Sequence, residues 1–212
     1  QMATLTQEAY KIIRKYDPTA KVVAGDVTKP ETLAAGLAGA DYVFSTIGAA
    51  CVRNQPYPAG ASPADVDFQG VANLADAAKA AKVRQFVLMS ALGAGSADPK
   101  APLNAVCGMV LDWKGKGEAQ VRASGVPYTI VRPGGLKPFP GQPACLEGQE
   151  GLALYAREED RGPGALCRAD VAMVMVHALG NRDAMGKTVN VVADKKVAAD
   201  GWKAAWAALP AD

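Results

Sequence analysis

The sequence predicts a doubly wound α/β fold with a mostly parallel sheet, and three observations carry that prediction. Four short apolar runs, 21–26 (KVVAGD), 42–48 (YVFSTIG), 85–90 (QFVLMS) and 128–135 (YTIVRPGG), each stop in a Gly, Ser or Asp turn. They are rich in β-branched and aromatic residues and too continuously apolar to have a wet face, so each reads as a parallel strand covered on both sides. Ala-rich segments with helical spacing lie between them, and strand alternating with helix places helices over both faces of one sheet. The ligand of such a sheet sits where the carboxyl ends of the strands open, which is where these turn residues cluster.

The elements come in order along the chain. Residues 4–16 carry Leu5, Ala9, Ile12 and Ile13 at helical spacing, and Asp17-Pro18 stops them. A strand over 22–24 comes next. Thr28 with Glu31 three residues later has capping-box spacing, and Pro30 suits a first turn, so a helix is expected to run to Gly39. Strand 42–47 opens into a Pro- and Gly-rich loop, 49–63, whose length and position suggest a functional role. Val66, Val71, Leu74, Ala75 and Ala78 form one face of a helix over 65–81. Strand 85–89 leads to a helix over 106–124, ended by Gly125, and then to strand 128–132. The 137–164 segment, with Pro138, Pro140, Pro143 and Pro163, reads as loop-rich, a lid or partner surface. A helix over 170–179, a strand over 188–192 and an amphipathic helix over 202–209 complete the chain, the last with Trp202 and Trp206 one turn apart.

Composition narrows the function classes. With 212 residues, half of them hydrophobic, one substantial core can be buried, and residues 1–212 are expected to form a single domain. A net charge of +2, with no dense Lys/Arg stripe and no interleaved aromatics, argues against nucleic acid as a partner. No apolar stretch approaches the ~20 residues of a transmembrane helix. Cys51, Cys107, Cys145 and Cys167 fall in four different segments without a C-x-x-C pair, and His177 is the only histidine. Neither a disulfide framework nor a metal site is expected, and a reducing compartment is the simpler reading. The start at Gln1-Met2 lacks the charged opening and apolar core of a secretory signal.

Six strings in register carry a family resemblance: GDV at 25–27, STIG at 45–48, VDFQGVANL at 66–74, FVLMSALG at 86–93, WKGKGEA at 113–119 and SGVPYTIVRPGGL at 124–136. Together they resemble the atypical branch of the short-chain dehydrogenase/reductase superfamily over about residues 21–195. Within that branch they are similar to plastid proteins related to the dinucleotide-binding subunit of the chloroplast inner-envelope translocon. The resemblance implies a Rossmann-type fold that binds NADP or NAD. It implies Asp26 and Val27 beside the adenine, Ile47, Gly48 and Ala49 under the adenosine ribose, and Pro133, Gly134, Gly135 and Leu136 against the carboxamide. It also implies Ser90 at the nicotinamide end and Lys114 at the ribose hydroxyls, these two being the catalytic candidates. Chemistry is compatible with each role: a strand-end carboxylate accepts from an exocyclic amine, glycine lets the backbone approach a flat ligand, and a lysine donates to ribose oxygens. Plainer readings stand beside them. Asp26 alone reads as a turn residue, Lys114 next to Lys116 as solvated surface, Asp67 and Asn73 either as capping and packing or as support for the site, and His177 as a structural histidine.

Two departures from the family pattern divide the functional expectation. The first Rossmann strand and its glycine-rich phosphate turn are absent before residue 21, so the chain is expected to be the carboxyl-terminal part of a longer one. The alternative is that strand 22–25 has moved in to pair directly with 42–47. The superfamily's proton-donating tyrosine stands four residues before the lysine, and here that position is Val110. Two expectations result. One is a dinucleotide-dependent reductase working without the tyrosine. The other is a non-catalytic dinucleotide-binding or assembly subunit of a plastid protein complex, in the stroma or peripheral on a membrane. Without the resemblance, the composition gives a cytoplasmic location.

Overall fold

The computed structural model describes residues 14–53, 55–136, 152–156, 166–194, 196–197 and 201–212. Five strands form one sheet: β1 (Tyr42–Ser45), β2 (Gln85–Met89), β3 (Tyr128–Pro133), β4 (Leu152–Ala156) and β5 (Lys187–Ala193), in the order β1-β2-β3-β5-β4. β1, β2, β3 and β5 run parallel, and β4 closes the far edge antiparallel to β5. The doubly wound, mostly parallel expectation therefore holds.

Alternation along the strands divides the core between the two faces. Phe86, Leu88 and Ile130 point to one side and meet Val71, Ala75, Ala78 and Val121. These belong to α2 (Val71–Ala80) and α4 (Val110–Ser124), the two helices that cover that face. Val87, Val131, Val189 and Val191 point the other way, onto Val171, Val174, Trp202 and Trp206. There the cover is α5 (Arg168–Ala178) and α6 (Trp202–Ala208). The Lys187 ammonium donates to the Trp206 carbonyl at 2.6 Å, fixing α6 to the sheet. His177 meets Trp202 edge-on, with ring centroids 5.1 Å apart, which agrees with its structural reading.

Several expectations are corrected. Residues 21–24 are not a strand: they have no regular secondary structure, and Val22 and Val23 are exposed. Among the described residues they have no sheet neighbour, β1 pairs with β2 alone and is an edge, and the alternative pairing of 22–25 with 42–47 does not occur either. As an edge, β1 buries only alternate residues and leaves Tyr42 and Phe44 exposed, contrary to cover on both sides. The capping box at Thr28 does not form. Thr28 instead donates from its backbone and its hydroxyl to Asp26, and the chain continues into a 3-10 turn, Pro30–Thr32, and the short α1, Ala34–Leu37.

The helix expected over 65–81 begins as a π-helical stretch, Ala64–Gly70, that passes directly into α2. The helix expected over 106–124 is two helices, α3 (Pro102–Val106) and α4, separated where Gly108 and Met109 take left-handed backbone angles of φ +62° and +61°. Residues 152–156 form β4 inside the segment read as a loop; the rest of that lid or partner surface lies outside the described residues. Only Arg14, Lys15 and Tyr16 of the 4–16 helix are described, and they are helical.

The cysteine reading is also overturned. Cys51 and Cys107 form a disulfide with Cα atoms 4.8 Å apart, and Cys167 is disulfide-bonded as well. Spacing in sequence hid the pair because the loop after β1 and the α3–α4 junction, 56 residues apart, meet at one end of the sheet. A reducing compartment presupposed unpaired thiols and loses its basis. No described helix is long and apolar enough to cross a membrane.

Candidate functional site

Backbone close approach builds the site. A Cβ on Gly117 would stand 2.2 Å from the Asp67 carbonyl oxygen, and one on Gly115 would stand 2.4 Å from the Gly95 Cα. Both glycines let α4 lie directly against the Ala64–Gly70 stretch and the loop after β2. That contact turns Lys114 inward, where its ammonium bonds Asp67 Oδ1 at 2.6 Å. The Asp67 side chain is fully buried, and that of Lys114 is 18% exposed. The other Asp67 oxygen, Oδ2, accepts the backbone N–H of Ala49 at 3.0 Å. Lys116, two residues further on, points outward, lies over the Trp113 ring and bonds Asp112 at 2.8 Å. The surface reading suits Lys116 and fails for Lys114.

At the end of β2, Ser90 is buried with its N–H bonded to the Val131 carbonyl at 2.7 Å, while its hydroxyl has no partner. A buried hydroxyl without a partner is uncommon in folded proteins and marks a place for a ligand or water. Ser90, Lys114, Ile47, Asp67, Leu88 and Met89 surround a cleft of about 10 Å³, room for about one water. Gly48 borders it: a Cβ there would lie 3.4 Å from Asp67 Oδ1 and 3.6 Å from the Lys114 ammonium. The structure thus brings Ile47, Gly48, Ala49, Ser90 and Lys114 into one cluster.

The remaining candidates flank it. The Pro133 carbonyl accepts from Leu92 N–H at 2.9 Å, Gly134 N–H donates to Val191, and Gly135 accepts from Leu166. Residues 133–136 therefore form the rim at the end of β3, beside the loop that carries Ser90. Asp26 and Val27 do not line the cleft. They reach the same end of the sheet through α2, whose Asn73 amide donates to the Val27 carbonyl at 2.8 Å, and Val27 packs against Gly70. The Thr28 hydroxyl and then the Thr28 N–H hold the Asp26 carboxyl below its ordinary value. Asp26 is thus charged and partly engaged as a turn residue, with Oδ2 only loosely paired to Lys29 at 3.9 Å.

Sequence reasoning left Asp67 between packing and a supporting role at the site. Its signal was present: Asp67 continues the buried stripe Val71, Ala75, Ala78 of α2 one turn toward the amino end. A carboxylate on a buried stripe needs a cation, and the match was Lys114.

Ser90 and Lys114 fit one half of a dinucleotide. Lys114 keeps two ammonium hydrogens beyond the one given to Asp67, and Ser90 offers an unpartnered hydroxyl, which suits ribose hydroxyls and a carboxamide at the mouth of the cleft. Among the described residues no G-x-G-x-x-G turn leads from a strand into a helix to receive a pyrophosphate.

Comparison with known proteins agrees with this chemistry. A family model described as NAD(P)H-binding matches residues 6–182. The chloroplastic protein TIC 62 of Pisum sativum is 33% identical over 82% of this chain and 32% of its own length. Sanguinarine reductase of Eschscholzia californica is 36% identical over 64% of this chain and 48% of its own length. The chain therefore spans about a third to a half of these curated relatives. The crystal structure of the oxidoreductase ylbE from Lactococcus lactis superposes with a TM-score of 0.66 at 21% identity, covering 87% of this chain and 76% of that one. At that identity the likeness speaks for the fold.

Proposed function

This chain belongs to the NAD(P)H-binding family, and from that premise we propose that it is a reductase domain whose nicotinamide end is held by Ser90 and Lys114. The observation that carries the reading is the unpartnered Ser90 hydroxyl facing the same cleft as the ammonium that Asp67 fixes. Pro133, Gly134, Gly135 and Leu136 would border the carboxamide, Ile47, Gly48 and Ala49 the adenosine ribose, and Asp26 and Val27 the adenine. NADPH or NADH, when bound, supplies a hydride. Lys114 holds ribose oxygens and lends positive charge to the cleft, and Ser90 orients an oxygen of substrate or carboxamide. Val110, one turn before Lys114 and buried, has no proton to give, so the proton comes from water or from the substrate. Sanguinarine reductase supports reduction as the reaction class, and the chloroplastic relatives support a plastid setting.

The test is titration with NADPH and NADH, followed by substrate-dependent oxidation of whichever binds. Lys114→Met is expected to weaken binding by roughly tenfold, as loss of charge-assisted hydrogen bonds does. Ser90→Ala should lower turnover more than affinity. Turnover that survives both changes would remove the assignment. Val110 favours a second reading, dinucleotide binding without chemistry in a plastid assembly; tight binding with no oxidation across quinones, flavins and aldehydes would select it.

A further inference from the structure

The loop after β1 borders a second, half-open cavity beside the α3–α4 junction, about 330 Å³ in volume. That is at the small end of the range for pockets that take small molecules. Val52, Gln55 and Tyr57 make one wall, and Val106, Gly108 and Met109 make the other.

The two walls are built to stay apart at a fixed distance. The Cys51–Cys107 disulfide ties them at one edge. The left-handed angles at Gly108 and Met109 turn the chain back between α3 and α4, and a non-glycine residue such as Met109 adopts that region only where its surroundings enforce it. Gly108 also leaves room for the Tyr57 ring, since a Cβ there would stand 2.8 Å from Tyr57 Cε2. Asn104 locks the turn from behind: its amide donates to the Ser96 and Asp98 carbonyls, and its oxygen accepts from Leu111 N–H.

Within this frame the Tyr57 hydroxyl is buried and has no partner. None of the described residues lining the cavity carries a charge. A charged ligand would lose hydration there without a counter-charge, whereas the Tyr57 ring and the Met109 thioether favour a flat, polarisable one.

We propose that this cavity binds a small neutral aromatic ketone, its ring against Tyr57 and Met109 and its carbonyl oxygen accepting the Tyr57 hydroxyl proton in a hydrogen bond. The choice of a carbonyl as the acceptor rests on the reductase reading. The cavity shares α4 with the cleft, since Met109 immediately precedes the turn that carries Val110 and Lys114.

Calorimetric titration of the full chain, without nucleotide, with 1-tetralone and with tetralin, which lacks the carbonyl, tests the proposal. The native protein should prefer tetralone by roughly fivefold, the worth of one neutral hydrogen bond. Tyr57→Phe should abolish the preference while leaving tetralin binding intact. Ala105→Trp, at an exposed position on the cavity wall, should weaken both ligands. Thermal melts of the variants establish that they fold. Equal binding of the two probes to native protein, or tetralone binding indifferent to both substitutions, would overturn the assignment. NADPH titration of the same samples reads the nucleotide site separately: tetralone preference without NADPH binding removes the reductase reading alone, and NADPH binding without tetralone preference removes this one alone.

Discussion

The two sides of the sheet treat similar sequences differently. β2 (QFVLM) is buried almost throughout, whereas β1 (YVFS), as apolar, is buried only at alternate positions, and residues 21–24 form no strand. The register makes the contrast sharp, because Val43 lies beside Phe86 and Phe44 beside Val87, yet Phe44 is 42% exposed and Val87 fully buried. An apolar β-branched run establishes only that a segment is able to be a strand. Neighbours on both edges and helices on both faces make it a buried one.

The largest effect is expected on the buried side. Glu118 on α4 is fully buried and accepts from Arg132 Nε at 2.8 Å and from a second Arg132 nitrogen at 2.6 Å, while Arg122 bonds it at 3.0 Å. Removing one partner leaves a buried guanidinium uncompensated, so Glu118→Ala should cost about 3–5 kcal/mol in urea unfolding. Glu118→Leu combined with Arg132→Met should recover most of that loss. A single-variant cost below about 1 kcal/mol would mean that water reaches the network and that this side is less closed than the contrast requires.

The next effect concerns the helix contact that aims Lys114. Gly117→Ala forces a backbone collision with the Asp67 carbonyl, and overpacking of this kind should cost about 1–3 kcal/mol. Nucleotide affinity should fall with it, because the shift carries the Asp67–Lys114 pair. Gly36→Ala in α1 is the control. Nothing lies within 4 Å of a Cβ there, so the change should be neutral or stabilising by up to about 1 kcal/mol. Equal effects at the two glycines would deny the close approach a role in positioning the lysine.

These contrasts explain how much could be read in advance. The strands 42–45, 85–89, 128–133 and 187–193 were legible because each apolar run there also has a helix before or after it to cover it, and so were both tryptophans of α6. The π-helical opening of α2, the break at Gly108-Met109 and the Cys51–Cys107 bond were not, because each depends on what packs against it rather than on local preference. β4 was missed because LALYA lies between loop-forming prolines and glycines and pairs only through contact with β5. At the candidate site, Ser90 and Lys114 were named from the resemblance, and they line one cleft. Asp67, which holds the lysine, stayed undecided between packing and a supporting role because its partner is 47 residues away.

A smaller effect tests the far end of the same network. Asp212 accepts from the Arg122 Nε at 2.8 Å, from the Thr188 hydroxyl at 2.5 Å and from the Tyr128 hydroxyl at 3.1 Å. Burial pushes its carboxyl up, but the Thr188 and Arg122 bonds outweigh burial and hold it below the ordinary 3.8. Because the folded value is depressed, the stabilisation is fully present above about pH 3.8 and is lost as pH falls through the folded value. Asp212→Asn should therefore cost about 1 kcal/mol at pH 7, and the native and variant melting curves should converge in acid below pH 3.8. A gap that stays constant down to pH 2 would assign the effect to packing.

The smallest effect is expected on the open side, and its smallness is what makes it decisive. Phe44→Thr replaces a large ring by a residue that also favours strands, so the backbone preference of β1 is kept and only the burial of the ring is lost. If the outer face of β1 is as open as its exposure indicates, stability should move by no more than about 0.5 kcal/mol, because the ring already contacts water in the folded state. A loss of about 2 kcal/mol or more would be the cost of stripping a core side chain. It would show that the Phe44 ring is covered in solution, and the two sides of the sheet would then differ less in burial than in which neighbour covers them.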